Sequence, residues 1–297
     1  MPLFRPDNFL MPGDAEEALQ RLRTEGKRAH VIAGGTGFYE LARRGYIPEV
    51  KSVISIMKLG LAYVNRDGPQ VRVGATTTLQ GLLESGAGDG QGLEAIGDAL
   101  REIRPVQVRN VATVGGEVCI SVPLVDLPTA LLACGASLSI LSAGAGEREA
   151  SLDGFYIDAF LTRLRYGEIV KEVRLPAQSP ASRSAFVKFG RTSYDFNLIN
   201  AAASLSLDGD RVRQIRVFVG GIARAPVRAT ELEKRLTGRS LEERSIVDAA
   251  RASFEEKDLL PSVHGSKEYK FAVLPVVLRD CILKAHARAA PGGGPPG

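Results

Sequence analysis

Apolar positions in the first part of the chain recur in patterns that specify a few short elements. Ala15, Leu19 and Leu22 fall at helical spacing, which predicts an amphipathic helix over Ala15 to Arg23. The run His30 to Ala33 reads as a buried strand that leads directly into Gly34-Gly35-Thr36-Gly37. The chain can continue as a helix from Phe38 to Gly45, and Val50 to Ile56 alternates as another strand. Residues 1–58 therefore read as a small β-α-β unit.

Residues 59–178 form the next predicted subdomain. Leu61 to Asn65 and Gln70 to Gly74 flank Arg66-Asp67-Gly68, a hairpin signal, and Thr78 can N-cap a helix through Leu83. The glycine-rich loop Gly86 to Gly92 precedes a helical segment, Leu93 to Ile103. A second glycine turn lies in Arg109-Asn110-Val111-Ala112-Thr113-Val114-Gly115-Gly116-Glu117. Asp126 opens a helix through Leu132 with Pro128 in its first turn, and Ser137 to Leu141 and Ile169 to Leu175 read as strands. Pro176 to Ser182 is a linker. Three strands follow, at Phe186 to Phe189, Ala201 to Leu207 and Val212 to Val219, then helices at Ala229 to Leu236, Leu241 to Lys257 and Ser266 to Ala285. Pro275 should kink the last helix. This order predicts a separate α+β domain over residues 183–288 and a flexible Pro/Gly tail over 289–297.

With 297 residues, 44% of them hydrophobic and 24% charged, the chain suits two or three globular units sharing one ligand cleft. Its 38 basic residues are dispersed among 34 acidic ones, with no basic run interleaved with aromatics, so nucleic-acid binding is not expected. No segment approaches the roughly 18 apolar residues of a membrane span, and the N-terminus lacks the apolar core of a signal peptide. A cytoplasmic protein is expected. Cys119, Cys134 and Cys281 are far apart and odd in number, which suits reduced thiols and excludes a four-cysteine iron–sulfur cluster. His30, His264 and His286 show no metal-ligand spacing.

The chemistry concentrates at the two glycine stretches. Glycines allow close backbone approach, and N–H groups at a helix start offer partial positive charge to an anion. Thr36 and Thr113 can add hydroxyl donors. Two such stretches could enclose one pyrophosphate, which points to a dinucleotide. A Rossmann reading competes, because Gly35-Thr36-Gly37 supplies half of its fingerprint. Glu40 replaces the third glycine, however, and the following strand ends at Ser55-Ile56 without the ribose-binding carboxylate.

Ala33-Gly34-Gly35-Thr36, Arg109 to Gly116 and Asp126-Leu127-Pro128, in this order, resemble the FAD-binding medium subunit of molybdenum hydroxylases. That family includes carbon monoxide dehydrogenase, xanthine dehydrogenase and 4-hydroxybenzoyl-CoA reductase. The resemblance extends from Phe9 and Pro12 to Gly265-Ser266 and Glu268-Tyr269-Lys270. It implies an α+β protein: a two-subdomain FAD-binding fold of the vanillyl-alcohol oxidase type, then a C-terminal domain with a three-stranded antiparallel sheet. Val31, Ile32, Ala33, Gly34, Gly35, Thr36, Gly37 and Phe38 would match the first pyrophosphate loop. Thr113, Gly115, Gly116 and Glu117 would match the second. Asp126 would be an acid near the cofactor, Val170 an apolar contact and Lys188 a lysine close to the flavin. Ile103 falls where some relatives place an aromatic ring, with Tyr194 as a substitute.

Plainer roles stand beside these. Asp126 can N-cap its helix, Lys188 can be solvated, Arg104 and Arg109 can be surface ion-pair partners, and Tyr194 can simply pack. Two residues depart from the family pattern: Glu117 where relatives carry asparagine, and Gly37 where they carry a polar or acidic residue. A carboxylate at 117 would repel a nearby pyrophosphate unless turned away or protonated.

The resemblance implies an oxidoreductase subunit in which FAD passes electrons between a partner's iron–sulfur clusters and an external acceptor. The partners would be an iron–sulfur small subunit and a molybdenum-cofactor large subunit, in a hetero-oligomer that can be a dimer of heterotrimers. No catalytic acid–base pair or nucleophile is expected in this chain. Between Gly116 and Asp126 there is no room for a cysteine-rich insertion, which argues against the 4-hydroxybenzoyl-CoA reductase branch. A Rossmann NAD(P) reductase and a cofactor-free assembly subunit are the alternatives.

Overall fold

The computed structural model describes residues 6–43, 45–47 and 50–289; of the tail predicted over 289–297, Ala289 instead ends the last helix and the rest lies outside the described residues. Two compact units are each assembled from three stretches. The first comprises the chain up to Glu84, Pro105–Ser121 and Ala136–Leu175; the second comprises Ser85–Arg104, Val122–Gly135 and the chain from Pro176.

The first unit begins with β1 (Asn8–Leu10), α1 (Ala15–Glu25), β2 (Ala29–Ile32), α2 (Thr36–Arg43) and β3 (Ser52–Ser55). β3 is the central strand of a three-stranded sheet and runs parallel to both neighbours, which gives the expected β-α-β unit plus an unpredicted strand β1. Asp14 caps α1 by accepting from the Glu17 N–H at 2.8 Å. Leu19 and Leu22 pack with Ile54, Ile56 and Ile169. Helix α2 begins at Thr36, two residues before the predicted start. Gly35, at φ +75°, turns the chain out of β2, and its carbonyl accepts from the Tyr39 N–H at 2.9 Å.

The same unit holds a five-stranded antiparallel sheet ordered β4-β5-β10-β6-β7, made of β4 (Val64–Asp67), β5 (Gln70–Gly74), β6 (Ser137–Ser142), β7 (Gly146–Ser151) and β10 (Glu168–Leu175). A small ribbon joins β8 (Tyr156–Asp158) to β9 (Leu161–Thr162). Three short helices, α3 (Leu79–Glu84), α5 (Val106–Arg109) and α6 (Val114–Cys119), complete the unit. Thr78 caps α3 as expected, accepting from Gly81 N–H at 3.0 Å. The second glycine stretch is not an open turn. Thr113 Oγ1 accepts from Gly116 N–H at 3.2 Å and opens α6, so Gly115 and Gly116 lie inside a helix.

In the second unit, β11 (Ser182–Phe189), β12 (Ile199–Asp208) and β13 (Arg211–Gly220) form the three expected antiparallel strands, and a two-residue fourth, β14 (Val227–Arg228), extends the edge. One face packs Ala201, Ala203, Val217 and Val219 into a core with α8 (Thr230–Leu236), α9 (Glu243–Arg251) and α10 (Lys267–Ala289). The alternate residues Phe186, Ala202 and Phe218 are also buried, and α4 (Glu94–Glu102) and α7 (Leu127–Ala133) pack on that side. Helix α9 stops at Arg251, short of the predicted Lys257, and a separate 3-10 turn follows at Glu256–Asp258. Among the described residues no helix is long and apolar enough to cross a membrane.

Candidate functional site

A cavity of about 330 Å³ lies in the first unit, where the end of β2, the start of α2 and the start of α6 converge. Val31, Ile32, Ala33, Gly34, Gly35, Thr36, Gly37 and Phe38 line it from one side, and Thr113, Gly116 and Glu117 from the other. The two glycine stretches touch. A β-carbon on Gly34 would sit 1.9 Å from the Val111 carbonyl oxygen, and one on Gly37 would sit 2.0 Å from Ile120 Cδ1. At Gly34, where the obstacle is backbone, only a residue without a side chain allows this approach.

The first-turn N–H groups of a helix have no intrahelical acceptors, and at α2 this end faces the cavity. Thr113 Oγ1 accepts from Gly116, which leaves its own proton to donate. Glu117 also lines the cavity, so the carboxylate that departs from the family pattern is at the site rather than remote from it. Nearby, burial pushes the Tyr156 phenol well above its usual range, with Cys119 and Glu117 adding to the effect. Burial also lowers the His30 pKa and pushes the Cys119 thiol up to about 12.

Several lining residues were not singled out from the sequence. Tyr46 and Phe160 stack at 5.6 Å with an interplanar angle of 22°, and His30 lies against Phe38 at 5.9 Å. Cys119 and Ile120 complete the wall. Phe160 has φ +61°, an unusual backbone conformation for a large residue. No local pattern links Tyr46 to Phe160, because the fold alone brings them together.

Two expected residues of this unit lie outside the lining. Gly115 packs on Ala75, where a β-carbon would be 2.8 Å from the Ala75 side chain, and Val170 is buried in β10 beside a register shift. Ile103, Asp126 and Lys188 belong to the second unit. There Ile103 ends α4. Asp126 precedes α7 but its carboxylate makes no capping bond. Its Oδ2 instead accepts from Lys188 Nζ at 2.9 Å, and its Oδ1 accepts from the side-chain amides of Asn197 and Asn200 at 3.0 and 2.8 Å. Lys188 is not solvated: its side chain is 8% exposed, and Nζ also donates to the Glu102 carbonyl at 3.2 Å. Sequence reasoning missed Asn197 and Asn200, whose role appears only through β12 and the loop before it. Tyr194 is 70% exposed, and Arg109 Nε donates to Gln80 Oε1 at 2.9 Å. Among the described residues no group of three His, Cys, Asp or Glu side chains could hold a metal ion.

Comparison with known proteins gives a consistent answer. Residues 4–178 match the model for the FAD binding domain in molybdopterin dehydrogenase, and residues 184–285 match the CO dehydrogenase flavoprotein C-terminal domain. The chain is 28% identical over 290 residues to the 6-hydroxypseudooxynicotine dehydrogenase complex subunit alpha of Paenarthrobacter nicotinovorans, with 96% of each chain covered. It is 26% identical over 280 residues to the carbon monoxide dehydrogenase medium chain of Hydrogenophaga pseudoflava, covering 94% of this chain and 96% of that one. The solved carbon monoxide dehydrogenase from Hydrogenophaga pseudoflava that lacks the Mo-pyranopterin moiety superimposes with a TM-score of 0.90 at 25% identity, over 97% of this chain and 100% of that chain. The Rossmann alternative finds no support in these matches. The chain belongs to the family of FAD-binding subunits of molybdopterin dehydrogenases, in which an FAD-binding domain is followed by a CO dehydrogenase flavoprotein C-terminal domain.

Proposed function

We propose that this chain is the electron-transfer subunit of a molybdenum hydroxylase or dehydrogenase, and that FAD carries electrons between a partner's iron–sulfur clusters and an external acceptor. The single observation that carries the site assignment is the cavity in which both glycine stretches meet. When bound, FAD supplies the redox chemistry. In this reading the first turn of α2 and the Thr113 hydroxyl hold the diphosphate. The stacked pair Tyr46 and Phe160 shields one side of the cavity from water. Glu117 turns its carboxylate away from the diphosphate.

Asp126, Lys188 and Ile103 are assigned to the flavin by resemblance, as is Val170. Asp126 fixes the Lys188 ammonium, so the lysine presents a set position and charge. Residues 1–58, 59–178 and 183–288 are retained as the functional divisions. The iron–sulfur small subunit, the molybdenum-cofactor large subunit and a possible doubling of the heterotrimer follow from the same reading. A cytoplasmic location agrees with three free cysteines.

The test is the visible absorption spectrum of the purified chain with and without added FAD. A flavin spectrum that appears or intensifies with FAD is expected. A colourless chain that still joins its partners would establish the assembly-only reading in its place. Protection against unfolding by NAD(P) and not by FAD would reinstate the nicotinamide reading.

A further inference from the structure

A groove of about 940 Å³ lies in the second unit on the open part of the four-stranded sheet. Its floor follows from register. Ser204 pairs with Arg216, and Ser206 with Gln214, on the face that also carries Ala202 and Phe218. Ala202 and Phe218 are buried on the side where α7 packs, whereas the serine end lies in the groove. The walls bring Arg213, Arg216, Arg228 and Lys234 against a single carboxylate, Glu233.

That carboxylate is already committed. Both Glu233 oxygens accept from Arg228 Nε at 3.1 Å, and Oε1 also accepts from the Val217 N–H at 2.8 Å. Arg213 and Arg216 have no carboxylate partner among the described residues. Arg216 is partly buried and held against Gly135, whose hypothetical β-carbon would lie 2.8 Å from Arg216 Nη1. A guanidinium kept partly out of water without an acid is costly unless something supplies one.

We propose that this groove docks an extended acidic segment of a partner polypeptide, whose Asp or Glu side chains pair with Arg213 and Arg216. The lining has serine, threonine and glutamine hydrogen-bonding groups but no aromatic ring, so it offers no stacking surface for a nucleobase. Its volume far exceeds the needs of one phosphate. The source of the segment rests on the multi-subunit reading above; the groove itself does not.

The experiment titrates full-length, FAD-loaded protein with a hexaglutamate peptide at low ionic strength, with inorganic tripolyphosphate as a second probe. Expected are 1:1 binding of the peptide and at least a tenfold loss in the Arg213→Ala/Arg216→Ala variant. Retention within about threefold in Arg213→Lys/Arg216→Lys and abolition at high salt are also expected. Flavin content should be unchanged throughout. If the double variant does not fold, the exposed single change Arg213→Glu must weaken the peptide alone. Absence of peptide binding, equal binding by the variants, or binding of tripolyphosphate in preference to peptide overturns the proposal. A colourless protein would undo the flavin reading instead, so the two failures are distinguishable.

Discussion

Gly34 stands so close to Val111 that a β-carbon on it would meet the Val111 carbonyl oxygen at 1.9 Å and the Ala112 Cα at 3.2 Å. Backbone meets backbone here, and neither side can rotate away. Gly34→Ala should therefore push the two cavity walls apart. Overpacking of this kind costs about 1–3 kcal/mol. The expected outcome is a lower denaturant midpoint together with a reduced flavin-to-protein absorbance ratio. Gly13→Ala, where nothing lies within 4 Å of the added atom, should leave both unchanged.

The Lys188–Asp126 pair tests how a nearly buried charge is held. Their side chains are only 8% and 5% exposed, and Asn197 and Asn200 complete the carboxylate's shell. Lys188→Met leaves the carboxylate without its cation and should destabilise by about 3–5 kcal/mol. Asp126→Asn combined with Lys188→Met removes both charges and should cost less than the two single changes added together. Urea unfolding of all four proteins measures that coupling; strict additivity would show that the pair is not energetically linked.

Asp98 gives a pH prediction. Burial alone would raise its carboxyl pKa, but Arg288, with bonds of 2.8 and 3.0 Å, and Lys284, at 3.0 Å, outweigh that and hold it below the usual aspartate value. A carboxylate depressed in the folded state contributes stability that is fully present above its unfolded pKa and is lost as pH falls through the folded value. Asp98→Asn should lower stability at neutral pH, and the gap to the parent protein should narrow only below about pH 4. Acid unfolding curves of the two proteins provide the check.

Burial pushes the thiols of Cys119, Cys134 and Cys281 up to about 12. The thiolate is the reactive form, so the native protein at pH 8 should resist an aromatic disulfide reagent. All three thiols should react once the chain is unfolded. Rapid native labelling of Cys119 would show that the cavity wall opens at that point.

The sequence made the glycine stretches legible because glycine is selected by geometry that few other residues tolerate, as Gly34 and Gly35 demonstrate. The three long strands of the second sheet were legible from alternation, though Ser182 and Ser184 concealed where β11 begins. Strand β7, Gly146–Ser151, was missed because it is a polar edge strand with little apolar patterning. Val114–Cys119 reads as a turn because its glycines mask a helix that Thr113 caps. Asp126 looked equally suited to capping and to ligand contact. Its true neighbours, Lys188, Asn197 and Asn200, lie far along the chain, and only tertiary structure brings them together. The same holds for Tyr46 and Phe160.

Helices α4 and α7 pack against strands β11, β12 and β13, which lie far downstream of them. During synthesis both helices leave the ribosome with the surfaces that will be buried still wet, and their cover does not exist until the chain has grown past Gly220. At about 5–20 residues per second that interval lasts several seconds. Nascent chains halted near residue 178 should therefore engage chaperones strongly, even though the FAD-binding family match is by then fully translated.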